Sequence, residues 1–360
     1  MLQVAITSPS LDSTVNISGI SSHTRLLIAS NKRVAYTHIV VGRQDQQPRD
    51  YRWVLGQFKV LAGFVREVRG VDLVHLNVPL ASLAISVNTA LILLARAAGK
   101  PVVVHFRGGE LSLNSRINFL QRAAIRIFLK TSAVIVVLGT REKEFLVSNY
   151  GSHLESKIQV LPNAVMLREI DSESVLRKYS GGSLQLIYFG RMDFAKGLAE
   201  IVEALALCLG QVDFHLHMVG EGPALAKLEE MLSGSIPNRY TIHGSKSQEP
   251  LLSILESCHL FLLPSHFEGL PNSLLEAMAN YVVPVVTPVG AIPELVKHRE
   301  NGFVVKVKEP VMLKNAICDA DSDRILLGEM AYRGRRLMER DFSIDGYCDR
   351  LLPIYRQALR

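Results

Sequence analysis

Residues 261–290, FLLPSHFEGLPNSLLEAMANYVVPVVTPVG, contain the pattern that decides the fold of this chain. The apolar run Leu260–Leu263 predicts a strand, and a turn rich in Gly and Pro that carries Glu268 follows it. Asn272 is the predicted N-cap of a short helix, and Glu276 lies about one turn into that helix. The N–H groups of a first turn favour a phosphate, and the two carboxylates suit sugar hydroxyls. The stretch therefore predicts a nucleotide-sugar site; the alternative is that both glutamates are solvated surface charges.

A second motif, GRMDFAKG at 190–197, follows the apolar run Leu184–Phe189, which predicts another strand. Arg191 lies at the end of this strand, and Lys196 directly precedes a helix that Gly197 opens. Two cations therefore meet the N–H donors of a second βα turn, which is an arrangement that suits a phosphate. A basic pair after a strand is most often ordinary surface, but open α/β sheets bind ligands beyond their strand ends.

With these motifs the chain resembles the retaining glycosyltransferases of the GT-B class, family 4, also called glycosyl transferases group 1. The resemblance rests on Glu268 and Glu276 in a Glu-x7-Glu pattern, on Arg191 and Lys196, on VGEGP at 219–223 and on LPNAV at 161–165. These motifs cover the second half of the chain densely and the first half thinly. The resemblance implies an α/β fold of GT-B architecture, in which two Rossmann-like doubly wound domains face a central cleft.

The resemblance also implies roles for individual residues. Glu268 would hold sugar hydroxyls, Glu276 the ribose hydroxyls, and His105 the sugar or the acceptor. The implied catalytic residues are Glu268, Arg191, Lys196 and His105. The implied donor-binding residues are Glu276, Gly19, Gly190, Gly269, Leu270, Pro271, Asn272, Gly220 and Glu221. No metal ligand and no cofactor is expected, and the donor substrate would be a UDP- or GDP-sugar.

Short β-branched runs alternate with helical patterns in both halves of the chain, and this alternation predicts parallel sheets covered on both faces. We predict an N-terminal Rossmann-like acceptor domain at 1–165 and a C-terminal Rossmann-like donor domain at 166–340. The boundary falls in a polar segment between Asn163 and Ser183. By analogy with the family, a C-terminal helix in 341–360 crosses back to the N-terminal domain.

The first half of the chain carries further candidates. Its first predicted βα loop, SPSLDSTVNISGIS, lacks a GxGxxG pattern, which disfavours a dinucleotide dehydrogenase. Family members often have two adjacent glycines in this loop, whereas here Ser18 precedes Gly19. His105 lies at the C-terminal end of the predicted strand Val102–Phe106, and Arg107 directly follows this strand. This position predicts a substrate contact, and the alternative is a core histidine bonded to the backbone.

Charge is unevenly shared along the 360 residues, whose formal net charge is +6. Residues 1–163 hold 19 Lys and Arg against 9 Asp and Glu, whereas residues 164–360 hold 21 against 25. In RINFLQRAAIRIFLK, 116–130, a stripe of Arg122, Arg126 and Lys130 follows i, i+4 spacing. A helix of this kind can lie on an anionic membrane; the alternative is an amphipathic helix that covers the sheet. No helix-turn-helix, aromatic platform or Lys/Arg run predicts a nucleic-acid partner.

The compartment and the absence of a metal site are also predicted from the sequence. The four cysteines form no close pair, and Leu2–Thr7 is typical of a first strand rather than a leader. We therefore expect a cytoplasmic protein, and the basic first half of the chain predicts a location at the inner face of the cell membrane. Two candidate metal motifs are set aside: the Asp-x-Asp pairs of Asp319, Asp321 and Asp323 predict a solvated turn, and His215 with His217 lacks a third ligand.

The leading function is transfer of a sugar from a nucleotide-sugar donor to an acceptor hydroxyl, with retention at the anomeric carbon. The family and the basic first half predict a lipid-linked or glycan acceptor in bacterial surface polysaccharide or lipopolysaccharide assembly. Two alternatives stay open. A nucleotide-sugar 2-epimerase of the same architecture would turn over the donor without an acceptor, and a non-catalytic partner would bind the nucleotide sugar only.

Overall fold

The fold is seen in a computed structural model that describes residues 1–12, 16, 18–42, 51–79, 82–108 and 119–360. The chain divides into two compact units. Unit 1 consists of Met1–Ala164 with Ile344–Arg360, and unit 2 is Val165–Ser343. The first residues of the predicted helix at 116–130, up to 118, lie outside the described residues.

Short apolar runs form the strands. The strands of unit 1 are β1 (Leu2–Ser8), β2 (Val34–Val40), β3 (Leu73–Val78), β4 (Val102–Phe106), β5 (Val134–Val137) and β6 (Ile158–Val160). The strands of unit 2 are β7 (Leu184–Phe189), β8 (Phe214–Val219), β9 (Tyr240–Gly244), β10 (Leu260–Leu263), β11 (Val283–Val286) and β12 (Phe303–Val304).

Helices connect the strands. The first five are α1 (Gly19–Ser30), α2 (Tyr51–Val68), α3 (Ser82–Ala97), α4 (Phe119–Thr131) and α5 (Thr140–Tyr150). Unit 2 contains α6 (Ser172–Lys178), α7 (Leu198–Cys208), α8 (Leu225–Ser235), α9 (Gln248–Ser257), α10 (Asn272–Ala279), α11 (Ile292–Leu295), α12 (Pro310–Ser322) and α13 (Arg324–Asp341). The last helix, α14 (Ile344–Ala358), belongs to unit 1.

Unit 1 is a parallel six-stranded sheet in the order β2-β1-β3-β4-β5-β6. Side chains alternate between its faces, because successive residues of a strand point to opposite sides. Val102, Val104 and Phe106 pack into the core on the side of α2 to α5, whereas Val103 packs into the core on the side of α1 and α14. The strand order reverses direction between β1 and β3, and open α/β sheets bind ligands at such a point.

Unit 2 is a second parallel six-stranded sheet, in the order β12-β11-β10-β7-β8-β9. Its order reverses between β7 and β10, so the loops that follow these two strands flank the point where ligands bind in such sheets. These loops are the two motifs that the sequence singled out. The α/β fold with parallel sheets, predicted from the alternation of elements, is confirmed.

Several local features differ from the predictions. Strand β9 was not predicted, because Tyr240–Gly244 is a partly exposed edge strand without a continuous apolar run. The prediction that Asn272 caps α10 is wrong: Pro271 occupies the N-cap and makes no side-chain cap, so Asn272 is the first helical residue. In the part of the chain that the structure describes, no helix is both long and apolar enough to cross a membrane.

Candidate functional site

Lys196 lies in the loop after β7, on a single 3-10 turn formed by Phe194–Lys196. The Asp193 side chain caps this turn by accepting from the Ala195 N–H at 3.0 Å. Gly197 ends the turn in a left-handed conformation, with φ at +79°, and a Cβ there would lie 2.2 Å from the Pro264 carbonyl oxygen. Only glycine fits, so the loop after β7 can lie directly against the loop after β10.

Glu268 lies in the loop after β10 and forms an ion pair with Lys196. Lys196 Nζ is 2.8 Å from Glu268 Oε1, and the exposed fractions of the two side chains are 29% and 8%. The Ser265 hydroxyl donates to the same oxygen at 2.8 Å, while Thr287 donates from its hydroxyl to the Ser265 carbonyl. A charged pair with little exposure is held more firmly than one in open solvent. The pair joins the two sequence motifs at the reversal point of the sheet.

A second pair fastens the same two loops. His266 Nε2 lies 2.7 Å from Glu200 Oε1, in the first turn of α7, and the side chains are 18% and 12% exposed. The His266 N–H also donates to the Ala195 carbonyl at 2.9 Å. The backbone on either side of Lys196 and Glu268 is therefore tied, which holds a cation and a carboxylate in a fixed relation.

The predicted donor-binding residues of the VGEGP motif lie in the loop after β8. Gly220 packs so closely on the preceding motif that a Cβ would lie 1.9 Å from the Gly190 carbonyl oxygen. The Met192 N–H donates to the Glu221 carbonyl at 2.9 Å, and the Glu221 residue is exposed. The loops after β7 and β8 thus form one surface at the carboxyl edge of the sheet.

Arg191 and Glu276 complete the predicted set in unit 2. Arg191 is exposed, and its carbonyl accepts from the Tyr188 hydroxyl at 2.6 Å. Glu276 lies in α10 and is partly exposed, yet burial raises the pKa of its carboxyl to about 7. No hydrogen bond or ion pair satisfies that carboxyl within the described ranges. A poorly solvated carboxyl without a partner is typical of a binding or catalytic position.

The turn between β10 and α10 supplies the other predicted donor contacts. Leu270 is buried, whereas Gly269, Pro271 and Asn272 are partly exposed. The Gly269 carbonyl accepts from the Ala291 N–H at 2.9 Å, which attaches the turn to the segment after β11. The structure therefore brings the unit 2 candidates together at one edge of one sheet. Their roles toward a ligand stay predictions.

The two unit 1 candidates lie in different surroundings. Gly19 is the exposed first residue of α1, and Ser18, in place of a glycine, serves as the N-cap by accepting from the Ser21 N–H at 3.2 Å. His105 has no exposed surface, and neither ring nitrogen has a hydrogen-bond partner among the described residues. Burial and the neighbouring Arg107 lower the pKa of His105 well below its usual value. Its predicted contact with a substrate stays a prediction, and its complete burial speaks against it.

The acidic cluster 319–323 is not the solvated turn that the sequence predicts. Asp319 and Asp321 lie in the last turns of α12 and pair with Arg299 and Arg324 at 2.7 Å and 2.6 Å. Asp323 caps α13 by accepting from the Leu326 N–H. Throughout the described ranges, no group of three or more His, Cys, Asp or Glu side chains is arranged to hold a metal ion.

Sequence reasoning missed Ser265, His266 and Glu200. Ser265 and His266 lie within three positions of Glu268, but nothing in the pattern SHFEG says which of its side chains point inward. Glu200 is the third residue of α7, where an acidic residue is explained equally well by the helix dipole. These residues could not be identified because the sequence does not show that the loops after β7 and β10 lie against each other.

Two family models match the chain. Residues 176–337 match the model described as glycosyl transferases group 1. Residues 21–169 match the model described as glycosyltransferase family 4. Together they cover most of both units.

Curated relatives share part of the chain at 22–29% identity. The N-acetyl-alpha-D-glucosaminyl L-malate synthase of Bacillus anthracis is 28% identical over 176 residues, which are 49% of this chain and 46% of that protein. The chain thus spans about half the length of the first relative it matches. The UDP-Gal:alpha-D-GlcNAc-diphosphoundecaprenol alpha-1,3-galactosyltransferase of Escherichia coli is 24% identical over 277 residues, 72% of this chain and 70% of that enzyme.

Among solved structures, Anabaena Alr3699/HepE in complex with UDP and glucose superposes with a TM-score of 0.78 at 18% identity. The alignment covers 99% of this chain and 100% of the Anabaena protein. At this identity the likeness concerns the fold, and it identifies the pair of parallel sheets as GT-B architecture.

Proposed function

The chain belongs to the glycosyl transferases group 1 family, and from this premise we propose that it transfers a sugar from a nucleotide-sugar donor to an acceptor hydroxyl. The reaction would retain the configuration of the anomeric carbon and serve polysaccharide or glycoconjugate assembly. The observation that carries the proposal is the Lys196–Glu268 ion pair of 2.8 Å at the reversal point of the unit 2 sheet. It supplies a cation for a diphosphate and a carboxylate for sugar hydroxyls in one fixed place.

In the proposed reaction, the bond between the anomeric carbon and the diphosphate oxygen breaks, and negative charge grows on the leaving phosphate. An ammonium has three N–H donors, of which Lys196 uses one toward Glu268, so others can reach a phosphate oxygen. Arg191 adds a second cation from the same loop. Groups that are aimed at developing charge before the reaction begins lower the barrier most.

The carboxylates would bind the two sugar rings of the donor. Both protein hydrogen bonds to Glu268 end on Oε1, which leaves Oε2 for a sugar hydroxyl. Glu276, on α10, would accept from the ribose hydroxyls of the nucleotide. The UDP complexes of the Anabaena protein and the UDP-Gal in the name of the Escherichia coli relative favour a UDP-sugar donor.

The function is tested by offering UDP- and GDP-sugars with and without a lipid-diphosphate-linked acceptor, and by analysing the products by mass spectrometry and NMR. We expect a glycosylated acceptor whose new linkage keeps the donor's anomeric configuration. A donor epimer formed without acceptor would support the 2-epimerase instead. Donor binding without any turnover would support the non-catalytic alternative.

We expect transfer to persist in excess EDTA, because Arg191 and Lys196 would supply the charge that Mg²⁺ or Mn²⁺ supplies in other enzymes. The measurement is the initial rate of transfer before and after chelation, with a Mn²⁺-dependent glycosyltransferase as the positive control. If chelation abolishes transfer and added Mn²⁺ restores it, the proposal of a metal-independent site without a cofactor fails.

The acceptor is proposed to be a lipid-linked or glycan intermediate at the inner face of a cell membrane. The name of the Escherichia coli relative includes a diphosphoundecaprenol-linked acceptor, and the first half of this chain is basic. In α4 the side chains of Arg122, Arg126 and Lys130 are exposed along one stripe, as the spacing predicts. Each such cation near an anionic surface contributes about 1 kcal/mol, so a peripheral contact would be weak.

We expect the wild-type protein to co-sediment with anionic liposomes at low salt and to be released as salt rises, because exposed charges are screened over about 8 Å at physiological ionic strength. Replacing Arg122, Arg126 and Lys130 by Gln should abolish most of this binding. The matched control removes the same charge from unit 2, at the exposed Arg177, Lys227 and Arg299. Equal binding by both triple variants would mean that α4 only covers the sheet.

A further inference from the structure

Unit 1 contains a cluster of polar side chains between its sheet and helices α1 and α14. The rings of His75 and His105 stack at 5.5 Å, and His75 Nδ1 lies 2.7 Å from the Tyr355 hydroxyl. The His23 ring meets the Tyr347 ring edge-on at 4.9 Å. Because β-strand side chains alternate, His105 and Arg107 extend toward this same face. The donor machinery of unit 2 does not use any of these residues.

Arg107 is the charged member of this cluster, and it is held by neutral groups. Its Nε donates to the Asn77 side-chain oxygen and its Nη1 to the Asn163 side-chain oxygen, each at 2.6 Å. Within the described residues, no carboxylate forms an ion pair with Arg107, and Nη2 is buried without a hydrogen-bond partner. Burial of a charge without a counter-ion costs several kcal/mol, so the arrangement calls for an anion.

The groups around Arg107 add donors rather than acceptors. His23 Nε2 accepts from the Ala164 N–H at 3.2 Å, which places the ring proton on Nδ1, and that nitrogen is buried without a partner. The Tyr347 hydroxyl has no hydrogen-bond partner among the described residues. Burial lowers the pKa of Arg107, and the nearby Tyr347 hydroxyl acts in the opposite direction and raises it. A neutral His23 and a protonated Tyr347 can each donate one hydrogen bond to an oxyanion.

The position of Arg107 in the sheet is that of a ligand-binding residue. It follows the last residue of β4, and its partner Asn77 lies in β3 beside the reversal point of the strand order. Asn77 is itself fixed by donation to the Thr7 carbonyl near the end of β1 at 2.7 Å. Arg107 keeps part of its surface exposed, unlike the fully buried His105 two residues earlier. An oxyanion can therefore approach the exposed part of the Arg107 side chain at the edge where such sheets bind ligands, while the unpartnered Nη2 is itself buried.

We propose that Arg107, supported by Asn77 and Asn163, binds a phosphate or carboxylate group of the acceptor in unit 1. This inference rests on the proposed function, because it assigns the anion to the acceptor. The guanidinium fork suits two oxygens of one oxyanion. The unpartnered His23 Nδ1 and the Tyr347 hydroxyl are further donors near Arg107. Specificity for an anionic acceptor thus arises in unit 1, separately from the diphosphate contacts proposed for unit 2.

The test measures inorganic phosphate binding to the full chain by calorimetry, with UDP present at saturation so that the donor site is filled. We expect a dissociation constant on the order of millimolar for wild type, weakened at least about 10-fold in Arg107→Gln. Arg33→Gln, which removes an exposed arginine of unit 1, is the matched control and should bind phosphate normally. Arg107→Lys keeps the charge but loses the fork that contacts two oxygens, so it should bind phosphate more weakly than wild type, and it tests the idea if the Gln variant does not fold.

The outcomes separate the possible sources of the anion. Unchanged phosphate binding in Arg107→Gln overturns the proposal. Loss of UDP binding in the same variant, in the absence of phosphate, also overturns it, because the anion would then belong to the donor. If Arg107 governs phosphate binding but no sugar is transferred to any acceptor, the anion site stands and the proposed function fails.

Discussion

Arg191→Ala should lower kcat for transfer by roughly 10²-fold or more while leaving the melting temperature unchanged. The residue is exposed, so its removal opens no cavity in the core. Its loss would be felt only when charge develops on the leaving diphosphate. Transfer assays at saturating donor, together with thermal unfolding, measure the two quantities on the same preparation.

Lys196→Ala should lower kcat at least as much, but it should also lower stability. The Glu268 side chain is only 8% exposed, and the variant deprives it of its cation. A carboxylate left without its partner in such a place is costly. The control is Lys227→Ala, which removes an exposed lysine from α8 and should leave both measurements unchanged. Near-normal turnover in either loop variant would contradict the phosphate contact proposed for that residue.

Most of the fold could be predicted from the sequence, because most of the strands are short apolar runs bounded by turns. The predicted bounds of β4, β7 and β10 are those found in the structure. Strand β9 escaped prediction because its pairing with β8, rather than its composition, makes it a strand. An edge strand that buries little carries little sequence signal.

The candidate site could be predicted from the sequence only in part. The two motifs of unit 2 identify Lys196 and Glu268, but their contact spans 72 positions and depends on the strand order, which no local pattern contains. In unit 1, the alternation of side chains along a strand places His105 and Arg107 on the same face of the sheet. It does not show which of the two side chains is buried by a helix. The covering helix α14 lies more than 200 positions later, so sequence reasoning chose the buried member of the pair.

Glu276 provides the second prediction of large effect, and it concerns pH. Burial raises the pKa of this carboxyl from 4.5 to about 7 in the folded protein. Between these values the folded state holds a proton that the unfolded state has released, so stability falls as pH rises through this window. Glu276→Gln should therefore stabilise the protein at pH 8 by about 1–3 kcal/mol and leave it unchanged near pH 4. Urea unfolding at both pH values measures the difference.

The same variant should weaken binding of UDP at pH 8, since ribose hydroxyls would lose a charged acceptor that contributes about 1.5–3 kcal/mol. Wild-type affinity should fall as pH drops below about 7, where the carboxyl takes up a proton, and the Gln variant should show a flat profile. We therefore expect Glu276→Gln to be more stable than wild type but to bind UDP less tightly, as is typical of a residue that serves binding at a cost in stability. An unchanged affinity at pH 8 would remove Glu276 from the nucleotide site.

Glu268→Gln separates the two carboxylates, because Glu268 is proposed to contact the transferred sugar and not the nucleotide. UDP affinity in this variant should be equal to that of wild type or higher, since Lys196 would then be free of its ion pair and could turn fully to a phosphate. Transfer should nevertheless fall by roughly 10²-fold, because a neutral amide holds the sugar hydroxyls less firmly as charge develops. Calorimetry with UDP, alongside transfer assays, distinguishes the outcomes. If Glu268→Gln and Glu276→Gln lose UDP affinity equally, both carboxylates must contact the nucleotide, and the sugar must be held by other groups.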